Sequence, residues 1–380
     1  TASYRRCPMT VHTEILLIAI AVSIACTIAG VFLVLRRMSM MADAITHTVF
    51  LGIVLAFFVT EDLNSPLLLV GATLVGVGTV WLTEMIHNTG LVNEDASIGI
   101  IFPLLFSIAI ILVSLYSGNA HLDVDTALLG EIAFAPFDRL ILNGLDAGPA
   151  ALWSTSCICL LNLLMAICLS KELKLSTFDP LLATFYGFRP HLLHYLLMTS
   201  VSLTVVVSFQ AVGAILVIAL MIGPAAIAYL FAKSVTKMII SAVFIAVCAA
   251  VSGTQLAFLL NTSIAGMVAS VIGLIFTVAL IASPRVGIMS KIRYRRHLHV
   301  RYGEETLLFH VFTHQNTSCA PVENGTGTIH EHLHWSPRFL KKITRRLMKQ
   351  DLLVVENGIY KLSHKGIERM KDTKLLKSLD

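Results

Sequence analysis

A stretch of about 20 mostly apolar residues crosses the hydrocarbon core of a bilayer as one helix, and this 380-residue chain offers nine such stretches. They are residues 15–35, 39–59, 67–86, 97–116, 150–169, 192–209, 212–230, 238–260 and 264–281. In lipid each segment must satisfy its own backbone hydrogen bonds, so the runs read as helices. Charged residues make up 13% of the chain, against about 25% in soluble domains. The expected fold is an all-α polytopic membrane protein with about nine transmembrane helices. Its weakest boundary lies at Gln210 and Ala211, where a short, tilted or re-entrant segment would change the count by one. Arg5 and Arg6 precede the first run as they would in a signal peptide, but that run is long enough to span and no small-residue cleavage site precedes a soluble region.

Charge divides the chain. Before Arg285 there are 10 Lys and Arg against 14 acids; from Arg285 onward there are 18 against 9. Under the nine-span count Arg36, Arg37, Lys171, Lys174, Arg189, Lys233, Lys237 and the cluster from Arg285 to Arg301 share one side. Glu61, Asp62, Asp123, Asp125, Glu131, Asp138 and Asp146 share the other. The basic side is cytoplasmic by the positive-inside rule, which places the N-terminus outside and the C-terminus inside. The acidic outer loop, residues 117–149, either steers cations or shows only the usual scarcity of Lys and Arg outside. The seven cysteines are scattered, mostly within apolar runs, and follow no zinc-ribbon or disulfide spacing.

Within the second run, Asp43 and His47 stand four residues apart. That spacing puts both on one helix face, where a hard oxygen and a borderline nitrogen suit a divalent transition metal. A carboxylate costs roughly 2.5–3.5 kcal/mol at the centre of a membrane helix and is retained there by a partner or a pathway. Counted from Arg37, His47 is about 15 Å into the span. The competing reading is an acid near the headgroups beside a histidine that packs. Glu84 and His87, near the inner end of the third run, form either an exit site or a solvated pair. Gly213, Gly223 and Pro224 read as positions of close packing or a kink.

The tail divides into a basic juxtamembrane linker, residues 285–303, and a soluble region, residues 304–380, after a transmembrane domain at 1–284. The linker fits anchoring at anionic lipid. In the soluble region Phe339, Ile343 and Leu347 alternate with Arg338, Lys341, Lys342, Arg345, Arg346 and Lys349, a basic amphipathic helix after Ser336-Pro337. Then come Leu352-Leu-Val-Val-Glu356, the turn pair Asn357-Gly358 and Ile359-Tyr-Lys-Leu362, a hairpin signal, with a short helix after Ser363. This order predicts a small α+β winged-helix-like cytoplasmic domain, or a docking domain that never meets DNA. In His330-Glu-His-Leu-His334, an extended segment would place His330, His332 and His334 on one face as a regulatory metal site, although the spacing fits no standard zinc module.

Several motifs in order carry a family resemblance: Met41-Ala-Asp-Ala-Ile-Thr-His-Thr-Val-Phe-Leu-Gly52, Asp95-Ala-Ser-Ile-Gly-Ile100, Leu128-Leu-Gly-Glu-Ile132, Phe178-Asp-Pro-Leu-Leu-Ala183 with Tyr186-Gly187, and Gln210-Ala-Val-Gly-Ala-Ile-Leu216 running to Ile222-Gly-Pro-Ala-Ala226. Together they resemble the permease subunits of ABC-type zinc, manganese or iron importers of the bacterial inner membrane. The resemblance implies metal coordination by Asp43 and His47, and a loop from Ser176 to Pro190 that docks into the ATPase through Phe178, Asp179, Pro180 and Gly187. It also implies three partners: a cytoplasmic ABC ATPase, a second permease subunit, identical or homologous, and an extracytoplasmic metal-binding protein. The metal is substrate, and no tightly bound cofactor is expected. Residues 345–353 and 360–366 are similar to the winged-helix part of metal-dependent repressors, which makes DNA a further candidate partner. No G-x-x-x-x-G-K-[ST] phosphate loop occurs, so the chain is not expected to be an enzyme. A gradient-driven metal carrier and a membrane-tethered metal-responsive DNA-binding regulator are the competing functions.

Overall fold

The computed structural model describes residues 10–61, 65–116, 132–142, 145–284 and 287–372. They form two compact units, divided after Arg285. Among the described residues nine helices are long and apolar enough to cross a membrane. They are α1 (Val11–Leu35), α2 (Ser39–Thr60), α3 (Pro66–His87), α4 (Glu94–Tyr116), α5 (Ala150–Cys168), then, after two short helices, α6 (Ser170–Phe178) and α7 (Pro180–Phe185), α8 (Pro190–Val212), α9 (Ala214–Phe231), α10 (Val235–Leu260) and α11 (Ile264–Ala282). Each matches an apolar run within a few residues at either end.

Helix α1 is the hub of the first unit, packed against α5, α8, α9 and α10. Its C-terminal half, from Ala25 to Leu33, is buried without interruption, because neighbours cover it on all sides. Small residues allow these approaches, as expected where lipid removes the hydrophobic drive between helices. A Cβ at Gly30 would collide with the Met221 carbonyl of α9, one at Gly52 with Gly71 and Ala72 of α3, and one at Gly253 with Val268 of α11. Polar side chains then fix register. Thr79 donates to Thr48 across α3 and α2 at 2.8 Å, Thr27 donates to the Leu220 carbonyl at 3.0 Å, and Asn162 donates to the Ala25 carbonyl at 3.0 Å and to Thr204 at 2.8 Å.

The doubtful junction resolves into two helices separated by one residue. Gly213 takes φ +82° and ψ 166°, a conformation open essentially only to glycine, so the turn from α8 to α9 needs no loop. The hairpin of β1 (Arg139–Leu142) and β2 (Leu145–Pro149) is clamped to the start of α1. Arg139 reaches Asp146 at 2.7 Å and the buried Glu14 at 3.3 Å. The Arg139 guanidinium, followed by the Gly148 amide, holds the Asp146 carboxyl below its usual range. Arg5, Arg6, Asp123, Asp125, Glu131 and most of the outer loop lie outside the described residues.

The second unit is built on α12 (Ile288–His314), one unbroken helix that runs through the expected linker boundary at residue 303. Two single-turn helices follow, α13 (Ala320–Glu323) and α14 (Ile329–His332), then α15 (Pro337–Lys349), strands β3 (Leu353–Glu356) and β4 (Ile359–Leu362), and α16 (His364–Asp372). Leu307, Leu308 and Val311 of α12 share a core with Ile329, Ile343, Leu347, Leu353 and Leu362. Asn357 at φ +51° and Gly358 at φ +76° turn the hairpin, as Asn-Gly predicts. The order helix, hairpin, helix is present. The His330 to His334 stretch, however, is not a strand: Ile329 is drawn into the core, the next residues close a helical turn, and His334 at φ +52° ends it. Alternate residues there do not share a face.

Candidate functional site

Asp43 and His47 sit in the first half of α2, with Asp43 Oδ1 3.5 Å from His47 Nε2. They are about 6 and 12 Å along the helix from Ser39. Around them α2 is buried, with Ala42, Ala44, Ile45, Thr46 and Thr48 all enclosed, whereas Asp43 and His47 keep 36% and 30% of their side chains accessible. The pair therefore occupies an open seam in a closed helix. The His47 ring rests against Phe102 and Phe106 of α4, centroids 5.3 and 5.7 Å away, and Thr48 fixes the neighbouring face to α3. One chain thus supplies one oxygen and one nitrogen, two donors where a transition metal usually takes at least four.

Where α1 ends and α8 begins, a cavity of about 260 Å³ is lined by Arg36, Glu84, His87, Glu94, His191 and Tyr195, among others. Glu84 is engaged there: His194 Nε2 lies 2.5 Å from Oε1 and the Tyr195 hydroxyl donates to Oε2 at 2.7 Å. His87 instead faces the Val92 carbonyl at 3.3 Å. Arg36 donates to His194 Nδ1 at 2.9 Å, which leaves the ring proton on Nε2, toward Glu84. The same guanidinium donates to Ser176 at 3.0 Å and to Thr177 at 3.2 Å. Burial lowers the Arg36 pKa and Glu84 opposes that shift. This network joins α1, α3 and α8 to the end of α6, and it was hidden in the sequence because its members lie up to 158 residues apart.

Immediately beyond it comes the Phe-Asp-Pro turn. Asp179 caps α7, accepting from the Leu182 amide at 2.9 Å, and Pro180 occupies the first helical position, where its missing N–H costs nothing. Gly187 closes the helix at φ +84°. The product is a short helix whose Leu181 and Phe185, with the flanking Phe178 and Tyr186, are largely exposed. Such an apolar cluster outside the spans marks an interaction surface.

Residues 9–283 match the profile of the ABC 3 transport family. The chain belongs to that family. Among its relatives, the zinc transport system membrane protein TroD of Treponema pallidum is 42% identical over 354 residues, covering 93% of this chain and 96% of TroD. The manganese transport system membrane protein MntD of Bacillus subtilis is 41% identical over 283 residues, 74% of this chain and 96% of MntD. Among solved structures, PsaBC from Streptococcus pneumoniae in complex with Fab superimposes with a TM-score of 0.61 at 28% identity, over 73% of this chain and 94% of that one. The ABC 3 match spans the nine helices and holds Asp43, His47, the Arg36 network and the Phe-Asp-Pro turn; the second unit lies beyond it.

In that second unit His332 Nδ1 is 3.4 Å from Glu323 Oε2, while His330 approaches Glu331 at 4.0 Å and His334 Nδ1 faces the His332 carbonyl at 3.3 Å. The three histidines do not converge on one another. The cluster that does form, His310, His314 and Glu323, was legible only in part: His310 and His314 share the four-residue spacing of Asp43 and His47.

Proposed function

We propose that this chain is the permease subunit of an ATP-binding-cassette importer that carries a divalent transition metal ion, manganese, zinc or iron, into the cytoplasm. The observation that carries the proposal is the pairing of Asp43 and His47 on the open seam of α2, inside the family's segment. Two chains related by a two-fold axis would supply two carboxylates and two imidazoles, a set that manganese, zinc and ferrous iron accept. Such a site must also release its ion, as any conducting site does. Relatives named for zinc and for manganese transport support the substrate class.

In this reading the exposed apolar helix α7, with Phe178, Asp179, Pro180 and Gly187 setting its ends, docks on a separate ATPase. Movement there reaches the spans through Ser176, Thr177 and Arg36. The N-terminus faces outward and the second unit inward, and an external metal-binding protein delivers the ion. The second unit is a winged-helix-like domain that answers to metal; a DNA target would act through its basic helix. The test is metal uptake into proteoliposomes holding the chain with its ATPase. Uptake that requires ATP supports the importer; uptake that persists without the ATPase, driven by a gradient, overturns it.

A further inference from the structure

We infer that His310, His314, Glu323 and His332 form a second, cytosolic-type metal site of zinc chemistry in the C-terminal unit. It is separate from the membrane pair, and of the His330, His332, His334 set that the sequence suggested it takes only His332.

His310 and His314 are one turn apart on α12, their ring centroids 4.8 Å from each other. Glu323 ends the single-turn helix α13 and brings its carboxylate to them, so that one ligand atom of each of the three lies within 4.8 Å of the others. A fourth donor arrives from α14. His332 Nδ1 stands 3.4 Å from Glu323 Oε2, and His310 Nε2 stands 3.8 Å from the same oxygen. Zinc bonded to nitrogen and oxygen at about 2.0–2.2 Å holds tetrahedral donors roughly 3.3–3.6 Å apart. The two separations from Glu323 Oε2 are within a few tenths of an ångström of that figure, while His310, His314 and Glu323 stand within 4.8 Å of one another and draw together as they close on the ion. Three imidazoles and one carboxylate are a borderline donor set that favours zinc over magnesium or calcium.

A hydrogen-bonded knot would need only one imidazole beside the carboxylate, whereas here three gather at it. All the groups are partly buried, with side-chain exposures of 15% for His310, 27% for Glu323 and 35% for His332. The frame is rigid. Asn324 is fully buried and donates to the Val311 carbonyl at 3.4 Å, which pins Glu323 to α12, while Ile329 anchors the α14 turn in the core. His310 Nε2 also lies 3.1 Å from the Glu323 carbonyl oxygen, a contact that coordination replaces as the ring proton moves to Nδ1.

The site is tied to the hairpin. The Tyr360 amide donates to the Asn324 carbonyl and the Thr326 amide to the Gly358 carbonyl, both at 2.9 Å. An ion held by Glu323 and His332 therefore stiffens the strip of chain on which the hairpin leans, which gives the C-terminal unit a means of reporting metal independent of whether the spans conduct it.

The test uses the full chain, purified in detergent without a histidine tag and carrying Asp43→Asn and His47→Ala, so that the membrane pair contributes nothing. Zinc is titrated by equilibrium dialysis with metal analysis, and cobalt is added in parallel to read tetrahedral coordination from its visible spectrum. One zinc per chain with a tetrahedral cobalt spectrum is expected, lost in His310→Ala and Glu323→Gln and kept in His330→Ala and His334→Ala. Zinc should also raise the melting temperature of the parent and leave that of His310→Ala unmoved, a comparison that separates lost binding from lost folding. The inference is overturned if His310→Ala retains the zinc, or if His330→Ala and His334→Ala lose it. Because transport is never measured, failure here leaves the importer reading intact, and the reverse also holds.

Discussion

Arg36 at the end of α1 donates to Ser176 Oγ at 3.0 Å, although 140 residues separate them, and so binds a membrane span to the short helix beside the Phe-Asp-Pro turn. With Thr177 and His194 on the same guanidinium, one side chain holds three partners in a planar fork. Lysine cannot reproduce that geometry.

If movement at α7 reaches the spans through this contact, Arg36→Lys and Arg36→Ala should both raise the ATP hydrolysed per ion carried while the complex still assembles. Gly187→Ala should act in the same direction, because a side chain at φ +84° costs roughly 1–2 kcal/mol and disturbs the end of α7. Hydrolysis and uptake measured on the same vesicles give the ratio. An unchanged ratio in both Arg36 variants would place the coupling elsewhere.

Packing between α1 and α9 gives a second expectation. Gly30→Ala drives a methyl into the Met221 carbonyl, a backbone atom that cannot turn aside, and should destabilise the membrane unit by on the order of 3 kcal/mol. Gly78→Ala is the control, since nothing lies within 4 Å of its Cβ position. Thermal unfolding in detergent should separate the two; equal melting temperatures would refute the close crossing.

A third expectation concerns the C-terminal unit, where Arg346 Nε meets Glu304 Oε1 at 2.7 Å. Glu304 is 5% exposed and Arg346 is exposed, so removing either partner has unequal effects. Arg346→Ala leaves a buried carboxylate unpaired, on the order of 3 kcal/mol, whereas Glu304→Gln leaves a cation that water can solvate. Arg346→Ala should therefore melt lower, as denaturation of the full chain monitored at Trp335 would report. Equal effects would mean that the carboxylate has another partner.

The spans were legible because lipid forces every crossing segment to be apolar along its whole length, and Asp43 with His47 stood out against that background. Asn357-Gly358 was legible because its turn demands positive φ at both positions. Glu84 was named beside His87, but its actual partners His194 and Tyr195 were not legible, since they lie on a helix more than a hundred residues away and only packing brings them together. The one-residue turn at Gly213 was not foreseen: the uncertain boundary was read at Gln210 and Ala211, and Gly213 as a position of close packing or a kink. For His330 to His334, four polar residues and Leu333 carry no periodicity, and the burial of Ile329 decided the local conformation. Arg346 read as part of a free basic stripe until the fold paired it with Glu304.

The central claim is that Asp43 and His47 hold the ion in transit. The most direct measurement is radiolabelled manganese or zinc flux into proteoliposomes containing the chain with its ATPase, for Asp43→Ala and His47→Ala beside the parent. Each variant should lose about tenfold or more in flux, the loss that accompanies roughly 1.4 kcal/mol of ligand binding, while assembly and basal ATP hydrolysis stay at the parent's level. Parental flux in both variants, with the same metal and the same ATPase, would contradict the account.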